Sequence, residues 1–268
     1  MQTGKTLTLA LFLILAIFPR LNYADTLSPT YLKAVDLAAQ GKFPQAQKIF
    51  QGILAAEPNH ERAGRCLQII AAMKNQKIKS QTAAHLFRGL SYYYQDKFKE
   101  ALAQADLALR LNPKYARTYS ARGGYYFALD ENDKALADYR RSLELDPQND
   151  GAYYNRGNLY LKTEAFGRAI QDFDRAIKLN PKFASAFYNR GIARFRRGEI
   201  LWALVDFNRA AELNPRLAEA QMNRGVVLEE LGKEKEAVAA YKKFLQIAPP
   251  SLSREIKFIR KKLEILEK

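Results

Sequence analysis

Three residue types recur in this sequence at one fixed interval, and nothing else in it constrains the fold as tightly. Pro113, Pro147, Pro181, Pro215 and Pro249 are each 34 residues apart, as are Gly89, Gly123, Gly157, Gly191 and Gly225, and Ala101, Ala135, Ala169, Ala203 and Ala237. Such a period marks one supersecondary unit copied in tandem, each copy too small to bury its apolar face alone. Every unit holds two stretches of about 13 residues with helical apolar spacing, separated by turn residues such as Asp130-Glu131-Asn132 or Arg197-Gly198. In the first four units Leu-Asn-Pro (111–113, 179–181, 213–215) or Leu-Asp-Pro (145–147) then stops the second stretch, because the residue before proline is driven out of the helical region. The small Gly and Ala let paired helices approach closely, and Tyr139, Phe173, Phe207 and Tyr241 fill the gap beside them. The expected fold is all-α.

The pattern resembles the tetratricopeptide repeat (TPR) family. With units starting at 82, 116, 150, 184 and 218, the glycine falls at position 8, the alanine at 20 and the proline at 32. Asn-Arg-Gly at 155–157, 189–191 and 223–225 marks a subtype. The resemblance implies a right-handed superhelical solenoid of antiparallel helix pairs, with five units at 82–115, 116–149, 150–183, 184–217 and 218–251. Residues 27–60 read as a degenerate sixth unit, with Ala46, Phe50 and Pro58 in register and Ala34 in place of the glycine. The insertion at 61–81 starts apolar (Ala63, Cys66, Leu67, Ile69, Ile70, Met73) and turns basic. It is expected to be an extra helix with a basic tail that offsets the first unit from the array. In 252–268, Leu252, Ile256, Ile259, Leu263 and Leu266 share one helical face, which predicts a C-terminal capping helix with Ser251 or Ser253 at its N-cap.

Position 7 is arginine in all five units: Arg88, Arg122, Arg156, Arg190 and Arg224. Five arginines in register could form an anion-binding ladder. The stronger reading pairs them with Asp138, Asp172 and Asp206 at position 23, on the second helix of the same hairpin, where the planar guanidinium fork suits a carboxylate. Gln104 and Ala240 replace that aspartate in the first and last units, which leaves Arg88 and Arg224 for other use.

In the family, first helices line a concave groove through positions 2, 5, 6, 9, 12 and 13. By resemblance the groove residues here are Tyr154, Asn155, Asn158, Tyr188, Asn189, Ile192, Phe195, Arg196 and Asn223. Asn155, Asn189 and Asn223 would form a row of amides for an extended peptide's backbone, with tyrosines gripping its side chains. The alternative is that the tyrosines pack between neighbouring repeats. The first strong unit is distinctly apolar here, with Leu86, Phe87, Leu90, Tyr93 and Tyr94. The family's two-carboxylate clamp for chaperone tails is matched only by Asn158 and Asn189, since Tyr154, Glu219 and Asn223 stand where its other cations belong.

No catalytic set, metal-spaced cluster or phosphate loop appears, so neither enzyme activity, cofactor nor metal is expected. The histidines are His60 and His85, the latter at a packing position, and the single cysteine, Cys66, reads as a small buried hydrophobe. The net charge of +15 is spread over several segments, among them 61–81, 184–217 and 252–268. That field favours acidic partners or an anionic membrane surface, or serves solubility alone. Residues 1–24 have the layout of a secretory signal peptide: Lys5, a 13-residue apolar run at 6–18, then Pro19 and Ala24 as the last residue before cleavage. The apolar run is too short to span a bilayer. The expectation is an exported protein, periplasmic or secreted, or one anchored by the same segment if it stays uncleaved. Export argues against nucleic acid as a partner. The sequence thus predicts a non-enzymatic envelope scaffold that binds a peptide or protein segment, with association to anionic lipid or glycan as the alternative.

Overall fold

The computed structural model describes residues 28–267, and among these the regular structure is entirely helical. The predicted signal segment lies outside the described residues. The helices are α1 (Pro29–Ala39), α2 (Phe43–Ala56), α3 (Glu61–Lys74), α4 (Ser80–Tyr94), α5 (Phe98–Leu111), α6 (Ala116–Ala128) and α7 (Asn132–Leu145). They continue as α8 (Asp150–Lys162), α9 (Phe166–Leu179), α10 (Ala184–Arg196), α11 (Ile200–Leu213), α12 (Ala218–Glu230), α13 (Glu234–Ile247) and α14 (Ser253–Leu266). The chain divides into two compact units, one running to Thr163 and including 178–180, the other formed by Glu164–Ile177 and the chain from Pro181 onward. In the first, α1/α2, α4/α5 and α6/α7 pack as hairpins; in the second, α10/α11 and α12/α13 do the same.

Each of these hairpins turns on one residue in the left-handed region, Gly41 (φ 80°), Asp96 (56°), Asp130 (64°), Gly198 (80°) or Gly232 (70°), and Glu164 (59°) follows α8 in the same conformation. All fall at position 15 of their units. At Asp130 the pattern is a Schellman cap, with the Asp130 N–H donating to the Phe127 carbonyl (3.2 Å) and the Glu131 N–H to the Tyr126 carbonyl (2.9 Å). The two bonds satisfy carbonyls that the end of α6 would otherwise leave bare.

The close approach of paired helices is measurable at position 8. A Cβ at Gly123 would lie 2.6 Å from Tyr139 Cε1, and one at Gly191 would lie 2.8 Å from Phe207 Cε1. The first strong unit has Ala105 where the others carry that large ring. There Tyr125 of the next unit supplies the volume, its Oη 2.9 Å from a Cβ built on Gly89.

Two of the position-7 arginines, Arg122 in one unit and Arg190 in the other, belong to the scaffold. Arg122 forks onto Asp138 through Nε (2.7 Å) and Nη2 (2.8 Å), and its Nη1 reaches Asp106 at 2.7 Å. Arg190 bonds Asp206 through Nη2 and Asp174 through Nη1, both at 2.6 Å. Asp106 and Asp174 occupy position 25 of the preceding unit, so one guanidinium ties two repeats, a link the sequence reading did not identify. The bond to Asp138 holds the Arg122 guanidinium well above its ordinary value. Asp206 has no exposed side-chain surface, and its burial pushes the carboxyl upward against the pull of Arg190 and Arg194. Arg88 is not left for other use: its Nε donates to the Ala39 carbonyl at 3.0 Å and caps α1.

The insertion corrects another expectation, because 61–81 does not offset the first unit. Helix α1 packs directly on α4, and the rings of Phe43 and Phe50 lie 6.4 and 6.2 Å from Phe87. Ser91 also donates to Asp36 at 2.7 Å. The hairpin at 27–60 therefore stacks on the array, and α3 is laid to the side. His60 starts that helix, its Nδ1 accepting from the Ala63 N–H at 3.2 Å. At the C-terminus, neither serine caps α14: Ser251 lies in a 3-10 turn (Pro250–Leu252), and Leu252 is the N-cap. Ile259 and Leu263 are buried, as the apolar stripe predicts.

Candidate binding groove

The predicted groove residues sit on the first helices of their hairpins and are taken unit by unit. In the first unit, Tyr154, Asn155 and Asn158 lie on α8 and are all half-buried. Asn155 Nδ2 donates to Ser120 Oγ on α6 at 3.3 Å. Tyr154 receives the guanidinium of Arg65, 5.8 Å from its ring centroid. Arg65 belongs to α3, so the inserted helix reaches the face assigned to ligands. The apolar end of that face carries Tyr93, whose ring is 5.7 Å from Tyr94 and 5.6 Å from Tyr125.

In the second unit, Tyr188, Asn189, Ile192, Phe195 and Arg196 lie on α10, and Asn223 lies on α12. Tyr188 packs its ring 5.8 Å from Phe207, and Asn223 Nδ2 donates to Tyr188 Oη at 3.2 Å. Arg196 bonds Glu164 at 2.8 Å and stands 4.9 Å over the Phe166 ring. Beyond them, Glu229 accepts from Tyr241 Oη at 2.8 Å and from Lys262 Nζ, tying α14 to α12 and α13.

The asparagine row is therefore not a row of free amides. Asn155 and Asn223 each donate from position 6 to a position-5 hydroxyl on the preceding first helix. This lattice resembles the alternative reading, in which position 5 serves packing between repeats. What remains is an acceptor: the Asn223 Oδ1 is buried and has no hydrogen-bond partner. Burial also raises the Glu219 carboxyl, with Glu255 adding to it. Among the described residues no three His, Cys, Asp or Glu side chains are placed to hold a metal ion. None of the described helices is long and apolar enough to cross a membrane.

These features define a class first: tandem helical hairpins, locked within each unit by glycine–aromatic contacts and arginine bridges. Family models described as TPR repeat and tetratricopeptide repeat match residues 123–164, 151–183 and 202–251, and the chain is a tetratricopeptide-repeat protein. No curated protein matches it in sequence. Among solved structures it is similar to MamA, at 25% identity and a TM-score of 0.53 over 59% of this chain and 92% of that one. It is also similar to PilF of Pseudomonas aeruginosa, at 21% identity and a TM-score of 0.62 over 69% and 88%. A third likeness is to YrrB, a TPR protein with an unusual peptide-binding site, at 23% identity and a TM-score of 0.50 over 68% and 92%. The last two likenesses carry the fold alone. Tetratricopeptide-repeat proteins as a class are protein–protein interaction scaffolds.

Proposed function

We propose that the chain is a non-enzymatic adaptor of the cell envelope, exported by its N-terminal segment, that binds an extended peptide or protein segment along the first helices of its repeats. The observation that carries this is the Asn223 amide: its donor is fixed by Tyr188, and its oxygen is buried without a partner. A buried acceptor left bare costs about 1–3 kcal/mol, so a partner that opens this face and brings a peptide N–H to the oxygen gains that much. Tyr188, Ile192 and Phe195 lie on the neighbouring helix and are buried together with Asn223, so this face must open before their aromatic and aliphatic side chains can receive alternate side chains beside a bonded backbone. The basic field supports a second reading, attachment to anionic lipid or glycan.

The test compares proteins captured from an envelope extract by the chain from Asp25 onward and by its Tyr188→Ala/Asn189→Ala variant. Retained helicity with loss of a defined set of partners supports the groove. Identical capture by both overturns it.

A further inference from the structure

Helix α3 has no place in the 34-residue period, yet it buries an apolar face. Ala63, Cys66 and Ile70 are buried, with Leu67 and Met73 beside them, while Gln68, Ala71 and Lys74 point to solvent. These residues form one core with Leu86, Leu90 and Tyr94 of α4 and Ala121 of α6. Those four occupy positions 5, 9, 13 and 6 of their units, which are groove positions. Two direct contacts fix the placement. Cys66 Sγ lies 3.5 Å from Tyr31 Oη, which in turn meets Tyr94 Oη at 3.2 Å. Further along, the Arg65 guanidinium carbon lies 3.4 Å from where a Cβ on Gly151 would stand, beside Tyr154. The fourteen residues of α3, about 20 Å of helix, thus pack chiefly against α2 and more lightly on α4, and reach α1 through Cys66 and α8 through Arg65.

We infer that α3 is the chain's own ligand: an amphipathic helix seated in cis on the groove of the first unit, which must swing out before a partner helix of like pattern can take its place. Its tethers fit a latch. A short link follows the α2 end at Ala56, and the left-handed Gln76 (φ 56°) closes the other side with a Schellman pair, Gln76 N–H to Met73 (3.0 Å) and Lys77 N–H to Ala72 (2.9 Å). The array beneath does not depend on α3 for continuity, because α1 packs on α4 without it. The proposal rests on the groove reading only for what release exposes, since opening itself is measured without any partner.

Cys66, the single cysteine, reports the opening. It is buried, and its burial pushes the thiol up to about 12, so the closed chain offers no reactive thiolate near pH 8. The full chain is treated with iodoacetamide across low denaturant concentrations, and alkylation is compared with global unfolding. A latch gives alkylation that is nearly independent of denaturant and far faster than global unfolding allows. Gly64→Ala adds helix propensity where a Cβ meets nothing within 4 Å, and should slow alkylation about fivefold, the equivalent of roughly 1 kcal/mol. Tyr154→Ala removes the Arg65 contact without touching α3 itself and should speed alkylation severalfold. Alkylation that appears only with global unfolding, or that neither substitution moves, overturns the latch and leaves the groove reading in the second unit untouched.

Discussion

Two adjacent glycines in α6 show how sharply this fold discriminates between single residues. Gly123 faces Tyr139, with a hypothetical Cβ at 2.6 Å, whereas one on Gly124 would come no nearer than 4.0 Å to the same ring. Gly123→Ala should therefore force the hairpin apart and cost about 1–3 kcal/mol. Gly124→Ala removes backbone freedom from the unfolded chain without a clash and should gain about 0.5–1 kcal/mol. Urea midpoints moving in opposite directions would check the pair; equal shifts would refute the packing account. The same logic separates two aspartate and glutamate sites. Asp206 has no exposed side-chain surface and takes bonds from Arg190 and Arg194, so Asp206→Ala removes the buried partner of Arg194 and leaves Arg190 only Asp174, and should cost about 3 kcal/mol. Glu212 is 64% exposed beside Arg209, and Glu212→Ala should stay within about 0.5 kcal/mol. Thermal melts of both variants decide it.

At the scale of the element, what was legible in the sequence depended on whether the deciding contact lay inside the period. Hairpins could be read because Gly123, Ala135 and Tyr139 recur in register with their counterparts, and the Arg122–Asp138 pair because both partners sit in one unit. The bridge to Asp106 crosses from one unit to the next and appears only where position 25 happens to be acidic, so the period hid it. Position 15 was hidden differently: the left-handed cap is held by Gly in three units and by Asp or Glu in three others, so no single residue type repeats. The place of α3 could not be read at all, since an apolar stripe says that a helix is covered and not by what. The capping helix makes a converse case, because the end of an array leaves only one apolar face to cover. Ile259 has no exposed surface there, and Ile259→Ala should cost about 2–4 kcal/mol and loosen α12 and α13 ahead of the other helices. Hydrogen exchange would locate the loss; uniform exchange across the second unit would contradict a capping role.

Across the whole molecule, the net charge of +15 and the groove make separable demands on a partner. Backbone bonds and aromatic contacts in a groove act at a few ångströms, where added salt screens little, while a diffuse basic field acts over the Debye length of about 10 Å at 0.1 M. Much of the field is already answered from within: Arg122, Arg190, Arg194 and Arg196 each hold a carboxylate in the scaffold. The cations left to face outward include Arg254, Lys257, Arg260 and Lys261 on α14, an exposed cluster beyond the last repeat. The two functional readings therefore predict different salt responses in one titration. For a captured partner held in the groove, raising salt from about 50 to about 500 mM should weaken affinity by no more than roughly threefold, chiefly through slower association. Binding to vesicles rich in anionic lipid should fall by about a hundredfold or more over the same range, as each exposed lysine or arginine loses about 1 kcal/mol of surface attraction. A captured partner that dissociates with the steep dependence would move the functional surface from the asparagine lattice of the first helices to the basic face of α14.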